Sequence, residues 1–183
     1  GGLSGIILAN PSIDYQVHNS TFLVAHFHNV IIPGVLYGML AGIHYWFPKA
    51  FGFRLSETWG RRTALLFVGG FIFTFMPLYV LGLMGMPRRV FPYPAELGLG
   101  GLNLLSTAGA YLFAAGVAVI CVDLCLSPRR SKAQRNPWNA GTLEWLAHPD
   151  DEDWGIRSVP LIESRYPIWD QPDFVRKVDE GRF

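Results

Sequence analysis

The sequence is poor in charged residues and in cysteine. Charged side chains make up 16% of its 183 residues, whereas soluble domains usually carry about 25%, so the composition argues against a soluble chain. The net charge of +1 leaves no broad basic field for a nucleic-acid partner. The two cysteines, Cys121 and Cys125, lie four residues apart in an apolar run. They form no disulfide framework, and nothing marks a secreted protein.

The sequence does not begin with Met, and its first residues are not expected to form a signal peptide. It opens on GGLSGIILAN, which is typical of the last part of a membrane-spanning segment. We therefore expect residues 1–10 to be the end of a transmembrane helix. The chain is then expected to be the C-terminal part of a larger protein, or one half of a split protein.

Three long apolar segments follow, at about residues 21–47, 63–86 and 97–126. Each is longer than the roughly 20 residues that an α-helix needs to cross a bilayer. Pro33 and Pro77 fall inside two of them, which is tolerated when neighbouring helices satisfy the freed carbonyl groups. The predicted fold is all-α and membrane-embedded. It has three full transmembrane helices and the end of a fourth within residues 1–127, followed by a tail at 128–183.

Basic residues predict the orientation of these helices. Lys and Arg occur in the loop at 48–62 and at the start of the tail, and cytoplasmic loops carry such an excess. The loops at 11–19 and 87–96 are then expected on the outer side. The second of them nevertheless carries the adjacent cations Arg88 and Arg89, which need a partner.

From residue 128 the sequence becomes rich in charge, proline and tryptophan. We expect an extended, mostly irregular cytoplasmic tail. Its tryptophans at 138, 145, 154 and 169 favour docking against other protein over free disorder.

Three glycines in the first segment, Gly34, Gly38 and Gly42, recur at spacing four. Such a stripe lets another helix backbone approach closely, and helix packing is the favoured interpretation. Room for a flat cofactor is the alternative.

The stretch VAHFHNV places two histidines, His26 and His28, inside an apolar segment. Each helical residue advances by about 100°, so their side chains project roughly 200° apart. They cannot bind one metal ion from one helical turn, but they can serve two centres on opposite sides of the helix. The alternative is two neutral core histidines bonded to backbone carbonyls. Ionisable residues inside a membrane are functional by default, which favours a cofactor.

Haem suits this arrangement, because neutral imidazole is a standard axial ligand of haem iron. Phe27 would lie between two haems that flank the helix. Arg88 and Arg89, in a loop on the same side of the membrane, are suited to bind haem propionates. A salt bridge at the rim is the alternative for the arginine pair.

In order along the chain, VHNSTFLVAHFHNV, HYWFPKAFGF, ETWGRR and FMPLYVLGLMGMPRR resemble subunit I of the haem–copper terminal oxidases. The resemblance covers residues 1 to about 145. It implies the C-terminal quarter to third of a twelve-helix subunit in a bacterial plasma membrane. It also implies respiratory electron transport, in which oxygen is reduced to water and protons are pumped.

The resemblance also implies roles for individual residues. His26 corresponds to the proximal ligand of the high-spin haem, where oxygen is reduced, and is the candidate catalytic residue. His28 corresponds to one of two axial ligands of the low-spin haem. Phe27 would lie between the haems, and Arg88 and Arg89 would hold their propionates.

His18 resembles the loop histidine at the family's outer magnesium site. Most cytochrome c oxidases have Asp after it, whereas this chain has Asn19. Loss of a hard anionic oxygen weakens a magnesium site. Asn19 and Asn29 are more similar to the bo-type quinol oxidases, which favours a quinol oxidase over a cytochrome c oxidase.

The family's distal copper needs three histidines, one of them in a His-Pro-Glu-Val-Tyr motif that does not occur here. The second ligand of the low-spin haem is missing too. The expected partners are therefore the remainder of subunit I, subunits II and III, membrane lipid, and quinol or cytochrome c as electron donor. The chain alone is not expected to be active. Two alternatives are a non-catalytic haem-binding electron-transfer module and an inert fragment.

Overall fold

The computed structural model describes residues 1–127, 132, 134–147 and 160–181. The described residues contain eight α-helices and no β-strand, apart from two isolated bridges. The helices are α1 (Gly2–Ala9), α2 (Pro11–Val17), α3 (Thr21–Ile31), α4 (Gly38–Phe51), α5 (Glu57–Leu83), α6 (Gly100–Leu126), α7 (Pro167–Asp170) and α8 (Phe174–Glu180). They belong to two units. One is Gly1–Gly42 with Glu57–Asp123, and the other is Ile43–Ser56 with Leu124–Phe183.

The structure confirms the predicted all-α membrane fold. Three helical segments are long and apolar enough to cross a membrane, namely Thr21–Phe51, Glu57–Leu83 and Gly100–Leu126. The first ends four residues later than predicted, and the second begins six residues earlier. Glu57 lies in the first turn of α5, where a carboxylate interacts favourably with the helix dipole. The helix therefore starts in the polar stretch before the apolar run.

The first span is not a uniform α-helix. Between α3 and α4 it contains a π-helical segment, Ile32–Tyr37, with Pro33 at its start. Proline has no N–H to donate, and its ring clashes with the carbonyl four residues before it, here that of Asn29. A wider turn relieves this clash, which explains why the irregularity lies at this position.

Residues 11–19 were expected to form a loop, and this prediction was wrong. Pro11–Val17 is the short helix α2. The Asn10 side chain caps it by accepting from the Ser12 N–H at 3.1 Å, and proline at the first helical position is already in helical geometry. Asp14 in the first turn adds a favourable charge. The signals were present, but the segment is too short to show apolar periodicity.

Close helix packing uses glycines other than the predicted stripe. A Cβ at Gly70 of α5 would lie 2.5 Å from the backbone nitrogen of Phe113, and one at Gly109 of α6 would overlap the backbone of Thr74. Gly82 meets the backbone of Phe22 in the same way. By contrast, a Cβ at position 34, 38 or 42 would meet nothing within 4 Å in the described chain. The described part of the chain places no helix against that stripe.

Hydroxyl groups of neighbouring segments donate to backbone carbonyls of α5. The pairs are Thr21 to Leu78 at 3.1 Å, Tyr37 to Phe67 at 2.9 Å and Ser106 to Thr74 at 2.6 Å. These bonds connect the segments that carry Thr21, Tyr37 and Ser106 to α5.

In the second unit the tail packs on the end of α4. Trp145 is 1% exposed, and its indole N–H donates to the Tyr45 hydroxyl at 2.9 Å. The Trp138 indole donates to the Tyr45 carbonyl at 2.9 Å, and Lys49 donates to the carbonyl of Glu144. These two tryptophans therefore dock on the chain itself.

The tail is less irregular than expected. It contains a 3-10 turn, Leu143–Trp145, and the helices α7 and α8. Leu146, Phe174 and Val178 form a buried cluster. Trp154, which was expected to dock, lies outside the described residues, and so do the basic residues at 129 and 130. The predicted boundary between membrane and tail at 127/128 stays a prediction. The two units of the structure divide the chain differently, because Ile43–Ser56 belongs to the same unit as the tail.

The contact between α5 and α6 is testable with neighbouring glycines. Gly70→Ala should lower the free energy of unfolding by about 1–3 kcal/mol, because the added methyl overlaps the backbone of α6. Gly69→Ala is the matched control, since a Cβ there meets nothing within 4 Å. The thermal midpoint of the purified protein is the measurement. Equal midpoints for the two variants would contradict the packing.

Candidate haem-binding site

His26 lies at the contact of three segments. Its Nδ1 is 2.9 Å from the Ser4 hydroxyl of α1. That hydroxyl accepts from the Tyr79 hydroxyl of α5 at 2.9 Å and donates to the Gly1 carbonyl at 3.1 Å. Gly5 permits the approach of α1, because a Cβ there would lie 3.3 Å from the imidazole Cε1.

His28 has different neighbours. Its Nδ1 is 2.8 Å from the backbone carbonyl of Val24, which can only accept. The Nδ1 nitrogen therefore carries the proton. The imidazole stacks on Phe75 of α5, with ring centroids 4.5 Å apart and planes at 19°. Hydrogen bond and stacking together fix the orientation of this ring.

The two histidines thus occupy separate environments, as their helical spacing predicts. Phe27, between them in sequence, is 36% exposed and packs its ring 4.3 Å from that of His28. The structure places Phe27 on the surface of α3, where a ligand beside the helix could contact it.

The two loops predicted to share one side of the membrane meet in the structure. The Thr21 N–H donates to the Met86 carbonyl at 3.0 Å, and the Arg88 N–H donates to the Asn19 carbonyl at 2.9 Å. Ser20 and Pro87 form an antiparallel bridge between these bonds. The start of α3 and the arginine pair are consequently joined through the backbone.

Arg88 is half-buried and Arg89 is exposed, with a positive φ of 66°. Within the described part of the chain, neither guanidinium forms an ion pair. A left-handed backbone is uncommon for arginine. This pair of cations is suited to bind carboxylates.

His18 and Asn19 follow α2. The His18 Nδ1 is 3.5 Å from a carboxylate oxygen of Asp14, a neighbour that the sequence analysis missed. Asn19 has a positive φ of 56°, a conformation in which asparagine is enriched. Over the described ranges, no group of three or more His, Cys, Asp and Glu side chains could hold a metal ion.

Sequence reasoning missed three residues of this site: Ser4, Tyr79 and Phe75. Each contacts an imidazole or its hydrogen-bond partner. The hydroxyls of Ser4 and Tyr79 are polar groups within apolar stretches, which was the available signal. Which histidine they contact depends on the register of three helices.

The residues fit haem in one specific respect. In the described chain both imidazoles use Nδ1 for a hydrogen bond, and neither Nε2 has a partner. Metal-ligating histidines almost always donate their other ring N–H in this way. A ring that is protonated at Nδ1 would keep its Nε2 lone pair for iron.

Comparison with known proteins identifies a family. The family model described as Cytochrome C and Quinol oxidase polypeptide I matches residues 1–112, which is more than half of the chain. The chain belongs to this family. Members of the family named below include both cytochrome c and quinol oxidases.

The chain is 42% identical over 171 residues to cytochrome c oxidase subunit 1 of Bacillus subtilis (strain 168), covering 92% of this chain and 28% of that protein. It is 41% identical over 174 residues to cytochrome bo(3) ubiquinol oxidase subunit 1 of Buchnera aphidicola subsp. Baizongia pistaciae (strain Bp), covering 93% and 26%. Ubiquinol oxidase subunit 1 of Acetobacter aceti is 43% identical over 168 residues, covering 88% and 25%. The chain therefore spans about a quarter of the length of these relatives.

The start of α3 offers a test of how the histidines are positioned. The Ser20 hydroxyl accepts from the Phe22 N–H at 3.1 Å and donates to the Val17 carbonyl at 2.6 Å. Ser20→Ala should cost about 0.5–2 kcal/mol of stability, because it removes this helix cap. Ser12→Ala, at an exposed serine of α2, is the control. Thermal denaturation of both variants is the measurement, and an unchanged midpoint for Ser20→Ala would contradict the capping role.

Proposed function

We propose that the chain is part of subunit I of a haem–copper terminal oxidase and supplies one axial histidine to each of two haems. The observation that carries this proposal is the shared state of His26 and His28. Each has Nδ1 in a hydrogen bond, and neither Nε2 has a partner in the described chain. Membership of the oxidase family supplies the identity of the cofactor.

His26 would hold the high-spin haem and His28 the low-spin haem, with Phe27 between them. When bound, the two haems and the copper of the complete subunit would carry electrons from the donor to oxygen, which becomes water. The protein's own contribution would be to fix the ligands: Ser4 forms a hydrogen bond with the His26 Nδ1, the Val24 carbonyl accepts the Nδ1 proton of His28, and Phe75 stacks on the His28 ring.

Arg88 and Arg89 would bind the haem propionates. The backbone bridge between residues 19–21 and 86–88 supports this role, because it joins the arginine turn to the start of the histidine-bearing helix. His18 and Asn19 would take part in a weak magnesium site, to which Asp14 adds a carboxylate beside His18.

The chain contains none of the motif that would ligate copper. Copper ligands, the second axial ligand of the low-spin haem and the proton-conducting residues would come from the remainder of subunit I. Subunits II and III are the expected further partners. The complex would pump protons across a bacterial plasma membrane, with the tail on the cytoplasmic side.

Quinol is the proposed electron donor. Asn19, where most cytochrome c oxidases have Asp, supports this choice. The relatives include oxidases named for cytochrome c and for ubiquinol. Oxygen consumption by the purified complex with a quinol and with reduced cytochrome c as alternative substrates tests it, since faster turnover with cytochrome c would reverse the assignment.

The haem ligands can be tested by separate replacement. In the complex purified from its native membrane, His26→Ala should abolish the carbon monoxide-binding high-spin spectrum and retain the low-spin band. His28→Ala should lose the low-spin band, because that iron loses an axial nitrogen. His44→Ala, in the same span, is the control and should keep both.

The same spectra distinguish the alternatives. A wild-type complex with low-spin haem only and no oxygen consumption would indicate the electron-transfer module. Absence of haem from membranes that express the full locus would indicate an inert fragment. Retention of the high-spin spectrum in His26→Ala would contradict the proposed ligand.

The arginine pair has its own test. Arg88→Ala should lower the midpoint reduction potential of the haems, because a nearby cation stabilises the added electron. Arg62→Ala is a matched control at the other end of α5, where the guanidinium lies 5.3 Å from the centre of the Trp59 ring. Spectroelectrochemical titration measures both variants. Equal potentials for wild type and Arg88→Ala would contradict the propionate role.

A further inference from the structure

The Ser4 hydroxyl has three polar neighbours but only one proton. It lies 2.9 Å from the His26 Nδ1, 2.9 Å from the Tyr79 hydroxyl and 3.1 Å from the Gly1 carbonyl. A serine hydroxyl offers one donor and two acceptor sites. The Ser4 hydroxyl donates its proton to the Gly1 carbonyl, which can only accept and also accepts from the Gly5 N–H at 2.9 Å. Tyr79 O–H and His26 Nδ1–H then occupy the two acceptor sites, and every group is satisfied.

This assignment makes two donors share one oxygen. The hydrogen bond from His26 Nδ1–H increases the electron density on Nε2 and hence the basicity of the ligand. The Tyr79 hydroxyl withdraws electron density from the same oxygen and weakens that bond. Ser4 and Tyr79 therefore act on the imidazole in opposite directions.

Burial and ring packing restrict the side chains of this hydrogen-bond network. Ser4 is 7% exposed. The Tyr79 ring meets Phe22 edge-on, with centroids 4.8 Å apart and planes at 74°. Removal of the tyrosine hydroxyl alone would leave that ring contact in place. Water has little access to replace a lost partner.

We propose that Ser4 and Tyr79 are positioning residues that set the strength of the bond between His26 and its haem iron. Ser4 strengthens this bond by accepting the Nδ1 proton, and Tyr79 limits the effect by competing for the same oxygen. The inference rests on the proposed function of His26 as an iron ligand. Ser4 and Tyr79 do not act on the His28 imidazole in this way, because the His28 Nδ1 is bonded to the Val24 carbonyl.

Two substitutions test the proposal through shifts of opposite sign. In the complete complex purified in its reduced form, resonance Raman spectroscopy reports the iron–histidine stretching band of the high-spin haem. Ser4→Ala should shift this band to lower frequency, and Tyr79→Phe should shift it to higher frequency. Ser4→Thr retains the hydroxyl and should restore the wild-type band.

A merely structural role for these residues would loosen the site in both variants and move the band in one direction. Shifts of the same sign, or no shift in either variant, would overturn the proposal. Should Ser4→Ala fail to assemble, Ser4→Cys tests the same point, since a thiol of similar size is a weak acceptor. It should also lower the frequency. The low-spin absorption band should stay unchanged throughout.

Failure of the tuning and failure of the ligand assignment give different results. If the wild type shows the band and His26→Ala lacks it, His26 is the ligand, and only the variants of Ser4 and Tyr79 decide the tuning. If His26→Ala retains the band, the proposed function of His26 fails, and the tuning fails with it.

Discussion

The placement of both histidines depends on the close antiparallel contact of α3 with α5. Gly82 makes this contact close, because any side chain there would overlap the backbone of Phe22. Farther along, His28 stacks on Phe75, and beyond α3 the Tyr37 hydroxyl reaches the Phe67 carbonyl. Later residues of the first span therefore contact earlier residues of α5, as expected for antiparallel helices. The close contact at Gly82 therefore determines which residues of the neighbouring helices lie beside each imidazole.

Within an apolar environment, polar groups must find partners inside the protein. The fold provides one partner for each imidazole, through Ser4 and the Val24 carbonyl. A histidine that served only the core would be expected to satisfy both ring nitrogens. In the described chain neither Nε2 has a hydrogen-bond partner, and this is the nitrogen that the proposed function assigns to haem iron.

Local patterns in the sequence were sufficient for the three spans and for the separation of His26 from His28, because hydropathy and helical periodicity depend on neighbouring residues alone. The glycine contacts were not predictable in this way. Gly34 and Gly70 both lie in apolar helices, yet only Gly70 meets another backbone. Ser4 and Tyr79 are 75 residues apart and meet through the register of two helices. Such pairings are tertiary facts, which spacing within one segment does not contain.

The π-helical part of the first span begins after both histidines in the chain. Pro33 widens the helix only after His28, so the rotation of both imidazoles about the α3 axis is set from the other end. There the Ser20 cap and the bond from Thr21 to Met86 fix the first turn. The bond from Thr21 to Met86, with that from Arg88 to Asn19, also holds the turn that carries the arginine pair. The orientation of the imidazoles and the placement of the arginine pair thus depend on the same backbone contact.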